Sequence, residues 1–94
     1  MLEANCPQAG RYQLAVGLTR ADDFGIVQVS LDGQKVGEPF DGFNRAVVPS
    51  GKIELGAMEL TRGAHRVRFT AVGKNGRSKN YYMGIDYLEL RPVK

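Results

Sequence analysis

The chain has 94 residues, a single cysteine and a formal net charge of +3 at pH 7, which suits one domain burying roughly 65% of its extended surface. Cys6, the only cysteine, excludes an internal disulfide and any multi-cysteine metal site. No apolar run approaches the ~20 residues of a membrane helix and no charged-then-apolar leader opens the sequence, so a soluble domain with no membrane partner is expected.

In chain order, Leu2 to Cys6 reads as a weak first strand closed by Pro7 and an Ala9-Gly10 turn, with Cys6 beside Ala4 in the core. Arg11 to Thr19 alternates, with Tyr12, Leu14, Val16 and Leu18 on one face and Gln13, Ala15, Gly17 and Thr19 on the other. After a loop over Ala21 to Gly25, Ile26 to Leu31 and Gln34 to Phe40 flank Asp32-Gly33, the signature of a β-hairpin with a type I′ turn. Asp41 to Gly51 looks irregular, broken by Gly42, Pro49 and Gly51.

Lys52 to Leu60 is expected as a strand with a bulge near Gly56-Ala57, which would let Ile53, Leu55, Met58 and Leu60 all reach the core. Arg62-Gly63 then turns the chain into Ala64 to Val72, with Val67, Phe69 and Ala71 inward and Arg66, Arg68 and Thr70 outward. A polar loop from Gly73 to Asn80 leads to a last strand, Tyr81 to Arg91, in which register puts Tyr81 and Tyr82 on opposite faces unless a bulge intervenes. Phe40 and Tyr87 are expected in the core. Twelve glycines and the absence of a 3.6-residue period argue against any helix. The fold class is all-β, an antiparallel β-sandwich of about seven strands in one domain.

Charge is unevenly placed. Arg62, His65, Arg66, Arg68, Lys74, Arg77 and Lys79 fall between Glu59 and Asp86 with no acid among them. Such a field favours anionic partners, acidic polysaccharide included, though it also suits the solvent-facing positions of strands and a loop. Nucleic acid is disfavoured as a partner, because the basic run lacks interleaved aromatics and glycines.

Four stretches carry a family resemblance. Ala9-Gly10-Arg11-Tyr12-Gln13-Leu14, Val29-Ser30-Leu31-Asp32-Gly33, Leu60 to Phe69 with its Gly63 and His65, and Gly84-Ile85-Asp86-Tyr87-Leu88-Glu89-Leu90 resemble motifs of carbohydrate-binding modules of the family 6/35-like, galactose-binding-like jelly-roll type. Asp23-Phe24-Gly25, Gly37 to Asp41 and Gly73-Lys74-Asn75 followed by Ser78-Lys79 look closer still to C-terminal accessory domains of bacterial glycoside-hydrolase-like or uncharacterised proteins. The resemblance implies a jelly roll, a parent catalytic domain and an extracellular or periplasmic setting. It also implies extra strands ahead of the Ala9-Gly10 segment, where only Met1 to Gln8 stands here, so one strand is expected to be absent or supplied by a second copy. Acids of that segment help hold calcium in the modules; Glu3 does not match them and Asp86 alone cannot make a site of six to eight oxygens, so no cofactor, calcium included, is expected.

No residue pattern spells a reaction. His65 is the only histidine, Ser30, Ser50 and Ser78 lack nucleophile-elbow glycines, and Asp22-Asp23 are neighbours in a loop rather than carboxyls facing across a groove. The expectation is a non-catalytic module. Sugars present apolar faces and hydroxyl rings, so their sites pair aromatic platforms with fixed polar groups. The candidates are Phe24, Phe43, Tyr81 and Tyr82 as platforms, with Asp23, Asn44, Arg45, Lys74, Asn75 and Arg77 as polar partners. The alternative is a structural or oligomerising domain, pairing through an open sheet edge and touching no glycan.

Overall fold

A computed structural model describes residues 2–93 of the chain; Met1 and Lys94 lie outside the described residues. Seven strands follow in order: β1 (Leu2–Cys6), β2 (Gly10–Arg20), β3 (Ile26–Leu31), β4 (Gln34–Asp41), β5 (Val48–Leu60), β6 (Gly63–Gly73) and β7 (Gly84–Pro92). They form two antiparallel sheets, β1-β6-β3-β4 and β5-β2-β7, stacked face to face. The fold is an all-β sandwich without helices among the described residues.

Alternation builds the core. Tyr12, Leu14, Val16 and Leu18 of β2 are buried, and Tyr12 and Leu14 pack with Val29 and Leu31 of β3, Val67 of β6 and Cys6 of β1. Each such side chain taken out of water stabilises the fold by about 1.5–3 kcal/mol. Burial also holds the Cys6 thiol above its ordinary pKa, which keeps it protonated and inert. The hairpin is as its turn chemistry requires: Asp32 (φ 49°) and Gly33 (φ 86°) both take the left-handed conformation of a type I′ turn.

Bulges let the sandwich close along one side. Leu14 pairs with Gly56 and Ala15 with Glu54, so Leu55 is an extra residue of β5, one position before the expected bulge. Opposite it, Gly37, Glu38 and Pro39 of β4 face the single residue Gln28 of β3. The buried Gln28 amide satisfies this irregular backbone, its Nε2 donating toward the carbonyls of Val29 (2.9 Å), Gly37 (3.2 Å) and Val36 (3.3 Å). Leu55 reaches across to Gly37, its Cδ2 lying 2.8 Å from where a Cβ on that glycine would sit. The two bulges thus bring the edges of β4 and β5 together.

The first strand forms as expected: β1 pairs with β6 from Leu2↔Val67 to Cys6↔Gly63 and is the fourth strand of its sheet. Three expectations need correction. Pro49 and Gly51 do not break the chain but lie inside β5, an edge strand where a missing N–H faces no neighbour. The last strand begins at Gly84, not Tyr81, and Tyr81 and Tyr82 are both exposed, at 52% and 59%. Tyr87 is not core: Gly17 pairs with Tyr87 and Leu18 with Ile85, so Asp86 is a bulge that changes which face each side chain takes. Tyr87 therefore lies on the outer face, over Gly17, with Leu88 and Leu90 packed inward.

Candidate functional site

Three loops meet at one end of the sandwich: residues 21–25 between β2 and β3, 42–47 between β4 and β5, and 74–83 between β6 and β7. Their backbones are stitched together. The Ala21 N–H donates to Gly42 O (3.0 Å) and Asn44 N–H to Ala21 O (3.1 Å); Gly42 N–H donates to Gly25 O (3.0 Å) and Gly25 N–H to Tyr82 O (2.7 Å). Tyr82 N–H and Lys79 N–H return to the carbonyls of Asp23 (3.1 Å) and Asp22 (3.0 Å). Short parallel bridges, Ala21↔Phe43 and Phe24↔Tyr82, result.

Ser78 is the knot. Its side chain is buried, and Oγ donates to Phe24 O at 2.6 Å, with Asn80 O at 2.9 Å and Asp22 O at 3.4 Å around the same hydroxyl. The single hydroxyl proton goes to the Phe24 carbonyl and ties the 74–83 loop to the 21–25 loop. The Lys79–Asp22 ion pair (3.1 Å) spans the same two loops at the surface.

All ten residues singled out from the sequence lie at this end, but they divide by task. Asn75 is a bracket: its Nδ2 donates to Asp41 Oδ2 (2.8 Å) and its Oδ1 accepts from Arg77 N–H (3.0 Å). Asn44 holds its own turn through Ala46 O (2.8 Å). Phe24 and Phe43 are half-buried, and the Phe24 ring packs against Gly84, its Cε2 3.0 Å from a would-be Cβ there. Lys74 is half-committed: Nζ donates to Ser78 O (3.0 Å) and stands 5.9 Å from the centre of the Tyr81 ring.

Tyr81, Tyr82, Arg45 and Arg77 are exposed. Among the described residues, neither guanidinium forms an ion pair. Asp23 is half-buried in the 21–25 loop. This is a rim of two rings, two cations and one carboxylate carried on a tied backbone. Exposed rings offer faces for stacking, and the charged groups offer hydrogen bonds.

Sequence reasoning missed three contributors. Ser78 belongs to the Ser78-Lys79 stretch of the resemblance, which assigns it no role. Asp41, read as the start of an irregular segment, ends β4 and anchors both Asn75 and Phe43, whose N–H it accepts at 3.0 Å. Arg20 lays its guanidinium 4.9 Å from the centre of the Phe40 ring. A basic residue one turn before Asp22-Asp23 was the only signal available.

His65 and Asp32 lie at the opposite end. The ring is buried, with Nδ1 2.5 Å from Asp32 Oδ2 and Nε2 2.8 Å from the Thr61 carbonyl. Both ring nitrogens are thus engaged by groups of the fold. Among the described residues no cluster of three or more metal-ligating side chains occurs.

The molecule is thus a small β-sandwich whose loop end carries exposed rings and charges on a tied backbone. No protein-family model matches the chain, and no curated protein matches it. Among solved structures it is similar to a Paenibacillus xanthan lyase, with a TM-score of 0.83 and 26% sequence identity over 97% of this chain. The alignment spans 9% of the lyase chain, so the likeness is to one small domain of a polysaccharide-active enzyme.

Proposed function

We propose that this chain is a non-catalytic accessory domain of a glycan-active protein, and that it holds glycan through the loop end bearing Tyr81, Tyr82, Arg45, Arg77 and Asp23. The observation that carries this reading is the pair of tyrosines, 52% and 59% exposed on a loop whose backbone is pinned by the buried Ser78 hydroxyl. Folding gains little from rings left in water, whereas a ligand meeting a pre-ordered aromatic surface loses less entropy on binding. The likeness to a small part of a xanthan lyase supports the same class of partner. Xanthan and a panel of neutral and uronate-bearing polysaccharides, cast into native gels, test the reading: retardation of the wild type that is lost in Tyr81→Ala/Tyr82→Ala supports it, and free migration through every gel refutes it.

A second reading has its own observation. β7 is an edge strand carrying exposed Ile85 (39%) and Tyr87 (42%), a surface on which a second copy or the parent protein's catalytic domain would add a strand. In that case the domain braces a larger assembly and binds no sugar. Light scattering of the isolated chain separates the two, since edge pairing gives a discrete dimer or trimer.

A further inference from the structure

The outer face of the four-stranded sheet is basic in a way that strand order, not sequence order, produces. Lys35 of β4 pairs with Ser30 of β3, and Ser30 pairs with Arg68 of β6, so the three lie in one row across the sheet. Neighbouring strands are about 4.8 Å apart, which spaces the two cations by about 10 Å with a hydroxyl between them. Arg66 stands two residues from Arg68 on the same face, about 7 Å along the strand, and Thr70 continues the line on the other side. Ser30, Arg66, Arg68 and Thr70, with the Asp32-Gly33 turn at one end, line a groove of about 470 Å³.

The cations of this face, Arg66 and Arg68 in the groove and Lys35 on the neighbouring strand, form no ion pairs among the described residues. All three are exposed. Two acids lie nearby, each without an ion pair to these cations. Asp32 gives one carboxylate oxygen to the His65 ring and the other to the Arg66 backbone N–H. Glu3 of β1 pairs in register with Arg66 but makes no bridge to it. β6 puts Val67 and Phe69 inward, and no aromatic ring lines the groove. A surface of this kind offers charge and hydrogen bonds without stacking platforms, which fits a polyanion of hydroxyl-rich repeats better than unstacked bases.

We infer that the Lys35–Ser30–Arg68 row, together with Arg66 and Thr70, is a second binding surface, distinct from the loop end, which takes the carboxylate or sulfate groups of an acidic polysaccharide. The inference rests on the reading of the chain as a glycan-binding domain and adds the ligand's charge and a separate place for it.

The test uses the whole chain with four probes: polygalacturonate, dextran sulfate, single-stranded DNA and uncharged dextran, each titrated calorimetrically at low and raised salt. Binding to one or both charged polysaccharides and not to dextran is expected, the two charged polysaccharides telling carboxylate from sulfate. The affinity falls as salt passes about 0.1 M, where screening acts within about 10 Å. Arg66→Gln/Arg68→Gln is expected to weaken that binding about ten-fold, as two exposed charge contacts of roughly 0.7 kcal/mol each would. Lys52→Gln/Arg91→Gln removes the same two charges from the other sheet and is expected to leave it unchanged. Equal losses in both double variants, no loss in the first, no binding to either charged polysaccharide, or tighter binding to single-stranded DNA would each overturn the inference. Tyr81→Ala/Tyr82→Ala run alongside keeps the two surfaces apart: a loss confined to that variant retains the loop site and discards this one.

Discussion

His65 Nδ1 lies 2.5 Å from Asp32 Oδ2, joining a strand to a hairpin turn 33 residues away in sequence. The same carboxylate accepts the Arg66 N–H at 2.9 Å, and the Asp32 N–H donates to the Arg66 carbonyl at 2.8 Å. One turn residue therefore seals the end of β6 onto the hairpin. The hydrogen bond to Asp32 holds the imidazole above its ordinary 6.5, and the bond from His65 holds the carboxyl below its ordinary 3.8.

Stability should follow those two shifts. The histidine's contribution is complete below 6.5 and is lost as pH rises through its raised folded value; the aspartate's is complete above 3.8 and is lost as pH falls through its lowered one. Chemical denaturation across pH should show a plateau between those limits and a decline on either side. Asp32→Asn keeps a residue suited to the turn and removes the charge, so it should cost about 1 kcal/mol on the plateau and flatten both declines. An unchanged pH profile in that variant would assign the decline to other groups.

Ser78→Ala should loosen the loop end without harming the core. Removing the hydroxyl leaves the Phe24 carbonyl short of its donor, worth about 1–2 kcal/mol. Hydrogen exchange should quicken at the amides of Gly25, Lys79 and Tyr82, with those of β2 and β3 unaffected. Uniform acceleration across the sheets would place Ser78 in global rather than local stability.

Gly17 and Tyr87 should be energetically coupled. A Cβ on Gly17 would lie 2.4 Å from Tyr87 Cε2, yet the ring is an exposed side chain that can swing away. Gly17→Ala should therefore cost about 1 kcal/mol through lost packing, and in a Tyr87→Ala background it should be neutral or slightly stabilising. Additive effects in the double-mutant cycle would mean that the ring does not rest on the glycine.

What the sequence made legible was local. Asp32-Gly33 names its turn because two successive left-handed residues tolerate few side chains, and the alternation from Tyr12 to Leu18 names a buried face. The bulge in β5 was visible as apolar residues out of phase. The Asp86 bulge was not, because nothing apolar marks it, and missing it put Tyr87 inside. Pro49 was read as a breaker since only strand order reveals that β5 is an edge. At the loop end, ten residues spread over 60 positions converge, yet the groups that hold them, Ser78 and Asp41, act on distant backbone carbonyls and side chains that leave no local trace. The Lys35–Ser30–Arg68 row likewise exists only once β3 lies between β4 and β6.

The loop end is tested most directly by titrating the 15N-labelled chain with xanthan-derived oligosaccharides and following backbone amide shifts. Saturable shifts at Arg77, Tyr81, Tyr82 and Arg45 are expected, abolished by Tyr81→Ala/Tyr82→Ala while the melting temperature stays within a degree or so of the wild type. Amides at the loop end that do not move at saturating oligosaccharide, or shifts that survive the loss of both rings, would contradict the account.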